Sequence, residues 1–224
     1  MSHAFDARFS PTELGLAEIC HRLDPCLHEA NLDFDGEITR LCSREGVPTV
    51  MSLATQSVAS LRDVAQHAHS WWGVSLYCIS QSLAKNLGRT DSIEVYLRVF
   101  KAATSGFMLI YNENAGAFRA RRKSDALTND LIALLLLISA TLKINFAIYR
   151  EDDGEAKSPE LTELEHLLAE QVKASHPLTW LAVVNSDVMS FARARELAGP
   201  WREHVSLSTR GYVVLRFLAN DFRP

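Results

Sequence analysis

The chain has 224 residues, 47% of them hydrophobic and 22% charged, with a net charge of −4. This is the profile of an ordinary globular protein, able to bury a sizeable core without disulfides or metals. Ten glycines and seven prolines are few for this length, which argues against a many-turned all-β fold and for long helices.

The N-terminal "MSHAFDARFS" holds Asp6 and Arg8 and no apolar run. With Cys20, Cys26, Cys42 and Cys78 read as reduced thiols, the expected compartment is cytoplasmic or otherwise intracellular. "SPTELGLAEICHRL" follows, with Ser10 as a predicted N-cap, Pro11 at the first helical position and Glu13 completing a capping box. "NLDFDGE" (31–37) is an acidic, Gly-centred break. Helices are then predicted over 50–70, 72–87 and 92–112. In the first, Val50, Ala54, Val58, Leu61, Ala65, Ala68 and Trp72 fall on one side at 100° per residue, a core stripe.

"NENAGAFRARRKSD" (112–125) reads as a basic inter-helix loop. The most apolar helix, 125–149, comes next. Its run Leu131–Leu142 is too short for a membrane span and suits a core helix, so Leu134, Leu136 and Ile138 are expected almost fully buried. "EDDGEAKS" (151–158) reads as a charged surface loop. "SPELTELEHLLAEQVKAS" repeats the opening pattern with Ser158 as N-cap, and further helices are predicted at 178–197 and 200–219. "GYVVLRF" (211–217) alone has the β-branched content of a strand. The predicted fold is therefore all-α: one helical domain over 1–224, a bundle around 125–149. Two sub-bundles, 10–112 and 125–222, could be joined by the basic loop 113–124.

"LRDVAQHAHSWWG" (61–73) carries the sharpest chemical pattern. Its "RDVAQH" resembles the Arg-polar-x-x-x-His motif of the HEPN ribonuclease superfamily. The resemblance implies an all-helical protein in which Arg62 and His67, usually paired across a dimer, cleave RNA without metal. On a regular helix these two side chains point about 140° apart, so catalysis would need a second copy. "AHSWWG" faintly resembles a histidine-phosphotransfer helix, but Trp72 stands where that family has lysine, and the cation beside the phosphate is missing.

Other patterns are weaker. Glu18/His21 and Glu163/His166 each put a carboxylate and an imidazole on one helix face, as di-iron bundles require. Such bundles also need a lone Glu from two further helices, and 50–70, 72–87 and 125–149 contain none. Both pairs read better as surface positions. Cys20, Cys26, His28 and Cys42 are zinc candidates at a non-standard spacing, and Cys20 reads better as a buried thiol. Gly-rich phosphate loops, Gly-x-Ser-x-Gly and His-Glu-x-x-His are all missing from the sequence, so no cofactor is expected. Trp71, Trp72, Trp180 and Trp201 read as core or interface anchors.

Charge is segregated. Residues 1–63 hold ten acids and five bases, 84–123 three and eight, 151–170 eight and one, and 171–224 four and seven. Arg98, Lys101, Arg119, Arg121, Arg122 and Lys123 could track a phosphate backbone or pair with the acidic block 151–170. The sequence thus points to a non-catalytic interaction or assembly protein that binds itself or another protein, with nucleic acid as an additional partner through 98–123. A HEPN-type ribonuclease and a membrane-active helical protein are the alternatives.

Overall fold

Residues 4–44, 47–86, 93–103, 105–151, 159–171 and 181–217 are described by the structure, a computed structural model. Side-chain alternation decides much of the architecture. Between Ile93 and Lys101, buried Ile93, Val95, Leu97 and Val99 alternate with Glu94, Tyr96 and Arg98, which keep solvent contact. That is the period of a strand with one face on a core. In chain order the elements are β1 (Ala4–Phe9), α1 (Leu16–Glu29), β2 (Leu32–Arg44), β3 (Val47–Ser57), α2 (Leu61–His67), β4 (Gly73–Ser80), α3 (Gln81–Asn86), β5 (Ile93–Lys101) and β6 (Phe107–Asn114). There follow α4 (Ala115–Lys123), α5 (Asp125–Leu142), β7 (Phe146–Glu151), α6 (Leu161–Gln171), β8 (Leu181–Asn185), α7 (Phe191–Ala198), β9 (Val205–Leu207) and β10 (Tyr212–Arg216).

The all-α bundle predicted from the sequence is therefore corrected to an α/β fold. The ten strands form one sheet in the order β3-β2-β4-β5-β6-β1-β7-β8-β10-β9, and every pairing is antiparallel. The predicted helix 50–70 divides into β3 and α2, 72–87 into β4 and α3, and 92–112 into β5 and β6. The segments 178–197 and 200–219 likewise contain β8, β9 and β10; the strand suspected at 211–217 is β10. β1 sits mid-sheet between β6 and β7. It thus bonds a strand from each side of the segment 113–124.

The two faces are covered differently. Phe5, Ala7 and Phe9 of β1, with the inward residues of β4, β5 and β6, pack under α1, α2, α4 and α5. On the opposite face, Phe146 and Ile148 of β7 and Val213 and Leu215 of β10 pack under α6 and α7. Over β2, β4, β5 and β6 that same face carries only a small cluster: Leu41, Phe100, Met108 and Ile110, against Trp72.

Helix ends depart from the sequence-based expectations for identifiable reasons. Ser10 does not cap α1. Its N–H donates to the Phe146 carbonyl at 2.8 Å and its hydroxyl accepts from the Phe146 N–H at 3.2 Å, so the sheet uses it. α1 starts instead after Gly15, with no side-chain cap. The basic segment 113–124 is not a loop. Asn114 Oδ1 accepts from the N–H groups of Gly116 and Ala117 at 2.9 and 3.0 Å, starting α4, and Ser124 caps α5. α5 ends early because Lys143 takes a left-handed conformation (φ 54°), and the chain resumes as β7. Leu134 and Ile138 are buried as expected, whereas Leu136 is only half-buried against the core. By length and composition α5 is apolar enough to cross a membrane; here Leu131, Leu135, Ile138 and Leu142 are buried in the main core.

Candidate functional site

An open cleft of about 540 Å³ lies where α1, α2 and the β5–β6 turn meet. It is lined by Gly15, Leu16, Ala17, Glu18 and His21 of the α1 segment, by Arg62, Ala65 and Gln66 of α2, and by His69, Lys101 and Phe107. The local sequence explains its shape. Thr12 pairs with Phe107 through two backbone hydrogen bonds of 2.9 Å and donates its hydroxyl to the Leu142 carbonyl at 2.8 Å. Gly106 turns with φ 69° directly under Thr12; a Cβ there would lie 2.2 Å from the Thr12 oxygen, so only glycine fits. These contacts fix the approach to α1 and leave its first turn facing the cleft. On α2, Ser60 caps the helix by accepting from the Asp63 N–H at 3.2 Å. Leu61 and Val64 are buried, which turns Arg62, Ala65 and Gln66 to the cleft wall.

The electrostatics of this cleft favour an anion. Arg62 and Lys101 are cationic, and His21 and His69 add two imidazoles. The amide groups at the start of an uncapped fourteen-residue helix carry partial positive charge. The one carboxylate in the lining, Glu18, is engaged by Arg22 at 2.6 Å, and Arg22 also reaches the Thr141 carbonyl at 3.1 Å.

The sequence-predicted site residues are dispersed. Arg62 lines the cleft; His67, exposed at the end of α2, does not. Arg62 shares the space with His69 instead, and with the Glu18/His21 pair that read as mere surface. The six basic residues of 98–123 fall in different places. Lys101 is in the cleft. Arg98 is exposed on the sheet face opposite α4. Arg119 donates to the Ala115 carbonyl at 3.2 Å, Arg122 lies over the Phe118 ring at 6.0 Å, and Lys123 is exposed.

Arg121 is buried, 4% exposed, inside the protein. Its Nε reaches both Glu113 oxygens at 3.0 Å, Nη1 donates to the Leu127 carbonyl at 2.6 Å, and Nη2 donates to the Tyr111 hydroxyl at 3.2 Å. The hydroxyls of Tyr111 and Tyr149 both donate to Glu113. Burial, then the Glu113 carboxylate, push both tyrosines up. For Arg121, burial acts to lower the pKa, but Glu113 and the phenols hold it above its ordinary value. This cluster ties the α4–α5 junction to β6 and β7. In the described part of the acidic block 151–170, Glu163 pairs with Arg150 at 2.6 Å and Glu165 with Arg193 at 4.0 Å.

The zinc candidates are also separated. Cys20 and Cys26 are buried on the core side of α1, the latter donating to Thr141 Oγ1 at 3.1 Å, while His28 is exposed and Cys42 lies on β2. Among the described residues no three His, Cys, Asp or Glu converge as metal ligands do. Trp71 packs on the main core beneath Arg40, whose guanidinium is 4.9 Å from the ring centre, and Trp72 stacks on Phe100 on the opposite face. Trp201 packs beside the second core. Ser158, Trp180 and residues 152–158 lie outside the described residues.

No family model matches this chain, and no curated protein does. Among solved structures, the chain is similar to "Pseudomonas aeruginosa T6SS protein PA0821", with a TM-score of 0.46 and 12% identity. The match covers 96% of this chain and 64% of that one. A likeness this distant transfers no role to any residue.

Proposed function

We propose that this is a non-catalytic interaction protein that grips an oxyanion group of its partner, a phosphate or a carboxylate, in the cleft between α1 and α2. The observation that supports this is the lining itself. Arg62, Lys101, His21 and His69 face one open space with the bare N-terminus of α1, and the only carboxylate among them is already paired. An oxyanion there would accept charge-assisted hydrogen bonds from several directions. Nucleic acid enters this proposal as one carrier of phosphate among others, met at Lys101 and Arg62 and not along the whole segment 98–123.

Chemical-shift mapping with inorganic phosphate as the probe tests the reading. The amide resonances of Leu16, Ala17 and Glu18 should move together with those of Arg62 and Gln66. Shifts confined to Arg98 or to α4 would place the anion elsewhere and reject the cleft.

One observation favours a second reading. An arginine with two imidazoles nearby is also the kind of group set that a metal-independent ribonuclease uses to hold a phosphate and move protons. In this version His69 or His21 replaces His67 beside Arg62. RNA cleavage that vanishes in His69→Ala but survives in His67→Ala would favour the enzyme. Cleavage lost in His67→Ala would return the reading to the HEPN-like pair, and no cleavage by the wild type leaves the binding protein.

A further inference from the structure

We infer that β3 is a self-association edge, pairing antiparallel with β3 of a second copy of this chain. The inference does not rest on the cleft, to which β3 contributes no residue. β3 ends the sheet: β2 bonds one side of it, and among the described residues no strand bonds the other. Its eleven residues, "VPTVMSLATQS", contain no charge. At roughly 3.3 Å per residue the strand is about 36 Å long. The side chains from Ser52 to Ser57 are all exposed, and Leu53, at 46%, is among the most exposed large apolar residues described.

Edges this long are ordinarily guarded by charge, shortness, proline or bulges, since a row of free N–H and C=O groups is a template for another strand. The opposite edge follows that rule. β9 has three residues, and a turn bearing Arg202, Glu203 and His204 leads into it. β3 carries no charge as a guard, only Pro48 near its start and two register shifts with β2, one between the Thr39–Thr55 and Leu41–Ser52 pairs and one between the Ser43–Val50 and Arg44–Val47 pairs.

The matching occupant is a second β3. An uncharged strand meets its own copy across a two-fold axis with no like-charge opposition, and Ser, Thr and Gln side chains make favourable cross-strand neighbours. A charged partner strand would find no complement. The product is one antiparallel sheet running continuously through two protomers.

Sedimentation velocity over a range of protein concentrations tests this on the full chain. The wild type should show a reversible monomer–dimer equilibrium. Leu53→Lys with Gln56→Lys should raise the dimer dissociation constant roughly tenfold or more. Leu207→Lys on the opposite edge should leave it unchanged. A wild type that stays monomeric at every concentration, or a dimer equally tight in the double variant, would overturn the inference. Should the double variant fail to fold, hydrogen exchange in the wild type decides. Protection of the amides of residues 52–57 that grows with protein concentration supports the edge contact, and concentration-independent exchange there refutes it.

Discussion

Arg121 and Arg62 stand for two regions built from similar chemistry. Around Arg121, the Glu113 carboxylate, the Tyr111 phenol and the Leu127 carbonyl accept from all three guanidinium nitrogens, Tyr149 donates to the same carboxylate, and the side chain is buried. Around Arg62, cations and imidazoles line an open space whose one carboxylate is occupied by Arg22. The difference separates structure from function better than charge count does. A basic side chain buried against its carboxylate and bonded at each nitrogen holds the fold. Basic side chains gathered around an open cleft are, under the proposed function, the ones that meet a partner.

Breaking the buried side should cost the most. Leu135, fully buried on α5 in the main core, should not tolerate aspartate, because an unpaired carboxylate in an apolar interior is among the costliest point changes. Leu135→Asp is expected to be unfolded by circular dichroism, and a soluble variant with native helix content would mean that this face of α5 is not core. Glu113→Gln removes the charge that Arg121 needs. It should cost about 3–5 kcal/mol in denaturant unfolding, as for other broken buried pairs; a loss within about 0.5 kcal/mol would show that the cluster is not a lock.

pH sharpens the same contrast. Burial first, then the Glu113 carboxylate, hold Tyr111 and Tyr149 above their ordinary value. The folded protein therefore keeps two protons that the unfolded chain releases above about pH 10. That stabilisation is fully present below the ordinary tyrosine pKa and is lost as pH rises beyond it. Unfolding free energy should fall above about pH 10, and ultraviolet titration should show two phenols that ionise only on unfolding. Two phenols that ionise in the native state at the ordinary value would contradict their burial in the lock. The thiols give the smallest effect. Burial pushes Cys20 and Cys78 up to about 12, so iodoacetamide under native conditions at mildly alkaline pH should label the half-exposed Cys42 first. Labelling of Cys20 or Cys78 at an equal rate would show that the core opens.

Part of this was legible in the sequence. The apolar run in α5 marked the core helix, and the β-branched run at 211–217 was the one strand candidate, which is β10. The rest of the sheet was missed because long apolar stretches fit both periods. Ile93, Val95, Leu97 and Val99 alternate strictly, but they merge into "FKAATSGFMLIY", and one helix over 92–112 absorbed two strands and their turn. Gly106 was the available signal for that turn. α4 was misread as a loop, although Asn114 as N-cap and Arg121, Arg122 and Lys123 in the last turn are signals of a helix. The identity of the buried arginine was not legible. Nothing local separates Arg121 from its neighbours, and only the arrival of Glu113, Tyr111 and Tyr149 from β6 and β7 does so. The cleft was half-visible. Arg62, Lys101 and the Glu18/His21 pair were each singled out, but their meeting depends on the turn at Gly106 and on α1 starting at Leu16, which capping rules placed too early.

The claim that the cleft is the binding site is tested most directly by one paired affinity measurement. Titration of inorganic phosphate into the wild type, into Arg62→Ala/Lys101→Ala, and into Arg98→Ala/Lys123→Ala removes two exposed cations in each variant. The cleft variant should bind roughly tenfold more weakly or worse, as expected for lost charge-assisted hydrogen bonds, and should keep wild-type stability within about 0.5 kcal/mol. The other variant should bind like the wild type. Equal losses in both variants would mean that phosphate senses only overall charge, and would contradict the cleft as a site.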